Sequence, residues 1–153
     1  DVVVTSNSGY PLDLNLYQAV KGMSAAAQVV KTGGTIICAA ECSDGLPDHG
    51  EYSDILSSAE GPEELLRTIC SPDHNRHDQW EVQIQAQIQL KAEVLLKSEG
   101  LTDAKIRAAH LTPVRDLEVA VADALEQHGS SSKVCVLPQG PQTIPYLSDV
   151  EGR

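Results

Sequence analysis

Phenylalanine is absent from this chain, and tryptophan and methionine occur once each. With so few large, rigid side chains, the interior has to be built from Val, Ile, Leu and Ala. Basic residues are also scarce, 11 against 22 acidic ones, for a formal net charge of −11. No cationic stripe exists to neutralise phosphates, which excludes a nucleic-acid-binding surface. No apolar run approaches the ~20 residues that cross a bilayer, so no membrane-spanning helix is expected. The cysteines, Cys38, Cys42, Cys70 and Cys135, include no Cys-x-x-Cys pair. That spacing argues against a disulfide scaffold and for a reducing, cytoplasmic setting, with Cys38 and Cys135 acting as small apolar groups in buried strands. There is no initiator methionine, and the chain opens directly on an apolar strand, as expected of a piece of something longer.

What remains is enough for one domain. At 153 residues, 41% of them hydrophobic, residues 1–153 read as a single unit with one core. Its organising stretch is Ser6 to Lys21. Asp1–Thr5 reads as a buried β-branched strand, and Leu14–Val30 as a helix. Gly9 and Pro11 force a tight loop between them, and Asp13 or Asn15 can cap the helix. A strand delivered into a helix by a small-residue loop presents backbone N–H donors at the carboxyl edge of a sheet, where anions and carboxylates bind. Tyr17, Gln18 and Lys21 fall on one face of that helix by their three- and four-residue spacing. Together a phenol, an amide and an ammonium can grip a small carboxylate. The plainer alternative is a solvated lysine beside a packing tyrosine.

Further along, Gly33-Gly34 stop the helix and Thr35–Ala40 forms a second strand, giving a parallel βαβ unit. Glu41–Gly50 is a loop, either solvated or the wall of a site. Helices are expected over Glu51–Ser58, Pro62–Cys70 and His77–Leu90, the last carrying Trp80 and a glutamine ladder that reads as a wet face. Ala92–Lys97 is a third strand. A short helix follows through Ala109, Pro113 breaks the chain, and Asp116–His128 is an amphipathic helix. Lys133–Leu137 is the last strand, ahead of a proline-rich tail. The pattern predicts an α/β fold, an open, mainly parallel sheet with helices on both faces, Rossmann-like and three-layered. Cys70, His74 and His77, with His49 elsewhere, have a spacing that zinc could use, although 71–77 reads as a polar loop with no second cysteine pair.

The run Gly9-Tyr-Pro-Leu-Asp-Leu-Asn-Leu-Tyr-Gln-Ala-Val-Lys21 resembles the carboxy-terminal domain of the nickel-dependent lactate racemase family. The similarity continues through Lys31–Ile37, Glu41–Leu46, Asp78-Gln79-Trp80, Val136–Pro138 and Thr143–Pro145. The resemblance implies a two-domain protein with its active site in the cleft between domains. It implies a racemase or epimerase of 2-hydroxy acids using a nickel-pincer nucleotide, held mainly by an amino-terminal domain that also carries the acid–base histidines. On that resemblance Lys21 faces the substrate carboxylate, Gln18 and Tyr17 are its polar neighbours, and Trp80 borders the pocket. No catalytic or metal-binding residue is expected in this chain, which alone should be inactive; its partners would be its own N-terminal domain and a small 2-hydroxy acid. Tyr10 and the His74–His77 loop depart from the family pattern, leaving the particular acid open. A nonenzymatic α/β module that binds a small carboxylate or nucleotide would use the same helix N-terminus.

Overall fold

A computed structural model describes residues 1–147. Five strands form one sheet: β1 (Val2–Ser6), β2 (Gly34–Ala39), β3 (Ala92–Lys97), β4 (Thr112–Val114) and β5 (Val134–Leu137), in the order β4-β3-β2-β1-β5. Every pairing is parallel. The helices are α1 (Leu16–Val29), α2 (Tyr52–Leu56), α3 (Pro62–Ile69), α4 (Gln79–Lys91), α5 (Asp103–Ala108) and α6 (Leu117–His128). Parallel strands need crossovers, and a central strand covered on both sides reads as a continuous apolar run; β2, Gly-Thr-Ile-Ile-Cys-Ala, does so. Alternate residues of the strands serve opposite faces. Val3, Ile36, Cys38, Val94 and Leu96 join the large core shared with α1 and α4. Val2 and Ile37 join a smaller core under Ala120 and Ala124 of α6. This is the expected three-layer arrangement.

Three local readings change. Pro113 does not break the chain but sits inside β4, paired with Leu96. β4 is an edge strand, so a residue with no N–H is tolerated there. The glutamine ladder is not uniformly wet. Gln87 faces solvent, but Gln85 is fully buried, accepting from the Tyr52 hydroxyl and donating through Nε2 to the Ala109 carbonyl at 2.9 Å. Its amide supplies both a donor and an acceptor to groups that burial would otherwise leave unpaired. Cys135 is only partly buried, because β5 lies at the other edge of the sheet.

The chain runs outward from β1 to β4 and then returns to β5 on the other side of β1, so the topological switch point lies between β1 and β5. Open α/β sheets usually bind ligands there. Here a short 3₁₀ turn, Gly140–Gln142, fills that position. A Cβ on Gly140 would lie 2.6 Å from Thr5 Oγ1 and 2.9 Å from Gly22 Cα, so only a glycine packs so closely. A cleft opens at the N-terminal end of α1.

Candidate functional site

The loop leaving β1 is held from inside. Asn7 is fully buried; its Oδ1 accepts from the Gly22 N–H at 2.9 Å, and its Nδ2 donates to the Leu12 carbonyl. Ser8 and Gly9 take left-handed backbone conformations (φ +66° and +74°), which turn the chain sharply. Asn15 caps α1, its Oδ1 accepting from the Gln18 N–H at 3.1 Å. Asp13, the other candidate cap, accepts instead from the Glu41 N–H at 2.9 Å and so joins this loop to the one after β2.

Two more segments close on the start of α1. The Glu51 carboxylate accepts from Arg76 Nε at 2.9 Å and from the His77 N–H at 2.7 Å. Asp78, itself left-handed at φ +66°, accepts through Oδ2 from the Glu51 N–H at 3.3 Å. Gly50 is required at this junction: its φ is +73°, and a Cβ there would fall 1.9 Å from Asp78 Oδ2. The three segments enclose a cleft of about 500 Å³ whose polar walls are Asn15, Tyr17, Gln18, His49, His77 and Asp78. The loop after β2 therefore does contribute a wall, through Pro47 and His49.

Tyr17 and Gln18 line this cleft directly. Lys21 sits one turn further along α1 with its side chain exposed; its Nζ donates to Gln18 Oε1, and it borders an adjoining shallow groove with Ser24, Ile84 and Pro141. Trp80 opens α4, 48% exposed, with its ring edge-on to His77 at 5.7 Å. Two of the four sequence-predicted residues thus line the cleft and two sit beside it. Tyr17 also packs edge-on against the buried Tyr52, ring centres 5.4 Å apart.

Residue-level reading of the sequence did not single out Glu81. Glu81 is only 5% exposed. Burial holds its carboxyl above the usual range; the Lys21 ammonium opposes the shift and Asp78 adds to it. Burial likewise raises the Tyr17 phenol, with further contributions from Glu81 and Asp78 against an opposing one from Trp80. These shifts put Lys21, Tyr17, Asp78, Trp80 and Glu81 in one electrostatic neighbourhood. An acidic residue directly after the lone tryptophan was the available signal, and it looks like any first-turn glutamate.

The thiols and imidazoles supply no metal centre. Among the described residues no three His, Cys, Asp or Glu side chains converge to hold an ion. His74 Nδ1 lies 2.8 Å from Gln79 Oε1, Cys70 is exposed on its own, and His77 faces Trp80. Burial pushes the Cys42 thiol up to about 12, which removes it as a nucleophile at neutral pH.

Comparison with known proteins places this fold. The family model described as "Lactate racemase C-terminal domain" matches residues 1–144. A lactate racemase of Thermoanaerobacterium thermosaccharolyticum is 39% identical over 146 residues, covering 94% of this chain and 34% of that protein. One from Lactiplantibacillus plantarum is 37% identical over 142 residues, covering 92% and 33%. The solved lactate racemase apoprotein from T. thermosaccharolyticum superposes with a TM-score of 0.85 at 36% identity, covering 94% of this chain and 35% of that one. The chain spans about a third of the length of these relatives. It therefore belongs to the lactate racemase C-terminal domain family.

Proposed function

We propose that this chain is the C-terminal domain of a two-domain racemase or epimerase of 2-hydroxy acids, and that Tyr17, Gln18 and Lys21 hold the substrate carboxylate. The observation that carries the reading is the coupling of Lys21 to Gln18 on the turn of α1 where Tyr17 and Gln18 enter the cleft. An ammonium has three donors, so Lys21 keeps two for a carboxylate while Gln18 Oε1 takes one. Gln18 keeps its amide donors, and Tyr17, with its phenol pushed up, stays protonated and able to donate. A charge-assisted grip at one end of a small acid fixes it while its α-carbon reacts on either face. Trp80 supplies an apolar border with one N–H at its edge.

The acid–base groups and the nickel-pincer nucleotide belong to the rest of the full-length protein. The described residues offer no ligand set for nickel, so no step of the reaction is assigned to a metal held by this chain. Among the described residues no helix is long and apolar enough to cross a membrane. The four thiols are unpaired, in keeping with a cytoplasmic protein. Chiral chromatography of D- and L-forms of a panel of short 2-hydroxy acids tests the reading. Full-length protein with its cofactor should interconvert at least one pair, and this chain alone should interconvert none. Interconversion by this chain alone would move the chemistry onto its own histidines and overturn the division of labour.

A further inference from the structure

A second surface, distinct from the cleft, is built for contact. β5 is an edge strand, and its register sets Val134 and Val136 beside Val2 and Val4, on the sheet face that α6 covers. α6 buries Val2 but stops short of β5, leaving Val134 and Val136 exposed, the latter by 61%. On the other face, residues 143–147 run beside β5 and the end of α1 and help to wall a groove of about 590 Å³. That segment turns Ile144, Tyr146 and Leu147 outward, Ile144 by 93%. Among the described residues, one flank of the domain therefore combines an exposed apolar sheet face, the backbone edge of β5 and an apolar tail. Such surfaces are normally covered.

The family and the chain path say by what. The match is to a C-terminal domain, and the relatives are about three times as long, so in them most of the polypeptide precedes the matched region. The Val2 N–H donates to the Lys133 carbonyl at 3.1 Å, and the Asp1 carboxylate accepts from the Lys133 N–H at 2.9 Å. Polypeptide entering β1 thus arrives beside Lys133, immediately ahead of β5. We propose that the β5 flank is the docking surface for the preceding part of the full-length polypeptide, which lays an apolar segment across Val134 and Val136 and into the groove. The proposal rests on the two-domain reading and not on the chemistry of the cleft.

Full-length protein carrying Val136→Cys in a Cys70→Ser background tests it, with Val119→Cys on α6 as an exposed reference and maleimide labelling read by peptide mass. The expected result is labelling at 136 at least tenfold slower than at 119, unchanged over a hundredfold dilution. A photoreactive side chain at 136 should cross-link within the same chain to residues upstream of Asp1. Equal labelling rates, protection lost on dilution (a second copy), or cross-links confined to this domain would each overturn it. Should the substitution disturb folding, hydrogen exchange across 144–147 of the unmodified protein gives the same decision. Slow exchange is expected, and exchange within seconds contradicts the proposal. None of these readouts depends on activity, so their failure is separable from failure of the racemase reading.

Discussion

At the scale of single residues, the cleft balances one cation against buried acid. Glu81 is the informative group because its carboxyl is raised by burial while Lys21 pulls it back. A raised folded-state pKa means that the native state favours the protonated acid. Its contribution to stability is complete below the ordinary carboxylate pKa and is lost as pH rises through the raised value. Glu81→Gln should therefore be more stable than the parent at neutral pH, with the gap closing as pH falls toward about 4.5. Tm followed from pH 4 to 8 checks this, and a gap independent of pH would mean that Glu81 is solvated. Lys21→Ala should widen the gap at neutral pH and raise the pH at which it begins to shrink, because it removes the opposing charge; the lower end, set by the unfolded chain, should stay in place.

At the scale of elements, α1 is positioned by close approach rather than by bulk. Gly22 lets the helix sit against the loop after β1, where a Cβ would meet Asn7 Oδ1 at 2.9 Å and the Ser6 carbonyl at 3.0 Å. Gly22→Ala should cost about 1–3 kcal/mol in a denaturant titration, despite alanine's better helix propensity. A stabilising outcome would show that the loop gives way freely. These element-level features also mark what the sequence could and could not disclose. The βαβ start was legible because β-branched runs, a capping Asn15 and Gly33-Gly34 all agree. β4 was not, because three residues around a proline carry no periodicity and only an edge position makes them a strand. Gln85 was misread for a related reason. A glutamine's partners, here Tyr52 and Ala109, come from distant parts of the chain, so its burial is a tertiary fact. Helical spacing groups Tyr17, Gln18 and Lys21 on one face of α1, of which the first two line the cleft, and Trp80 beside it was singled out by the family motif alone. The loop after β2 could be read only as either solvated or a wall, and the contact of Asp78 with the Glu51 N–H, which brings it to the cleft beside His49, is a tertiary fact.

At the scale of the whole molecule, the domain presents two incomplete surfaces, the cleft with Trp80 beside it and the β5 flank. Trp80 is the sole tryptophan of this domain and 48% exposed, so in the domain alone its emission should be red-shifted and readily quenched by acrylamide. In full-length protein in which any upstream tryptophan has been replaced by phenylalanine, closure over a substrate should shift that emission to the blue and slow quenching. Unchanged emission would remove Trp80 from the site. The central claim, that α1 holds the substrate carboxylate, is tested most directly by the kinetics of full-length Lys21→Ala on whichever 2-hydroxy acid the parent racemises. The account predicts that kcat/KM falls ten- to a hundredfold, the value of a charge-assisted contact of about 1.5–3 kcal/mol, with Tm little changed. Parent-like kinetics, or a loss of activity that merely follows a loss of folding, would contradict it.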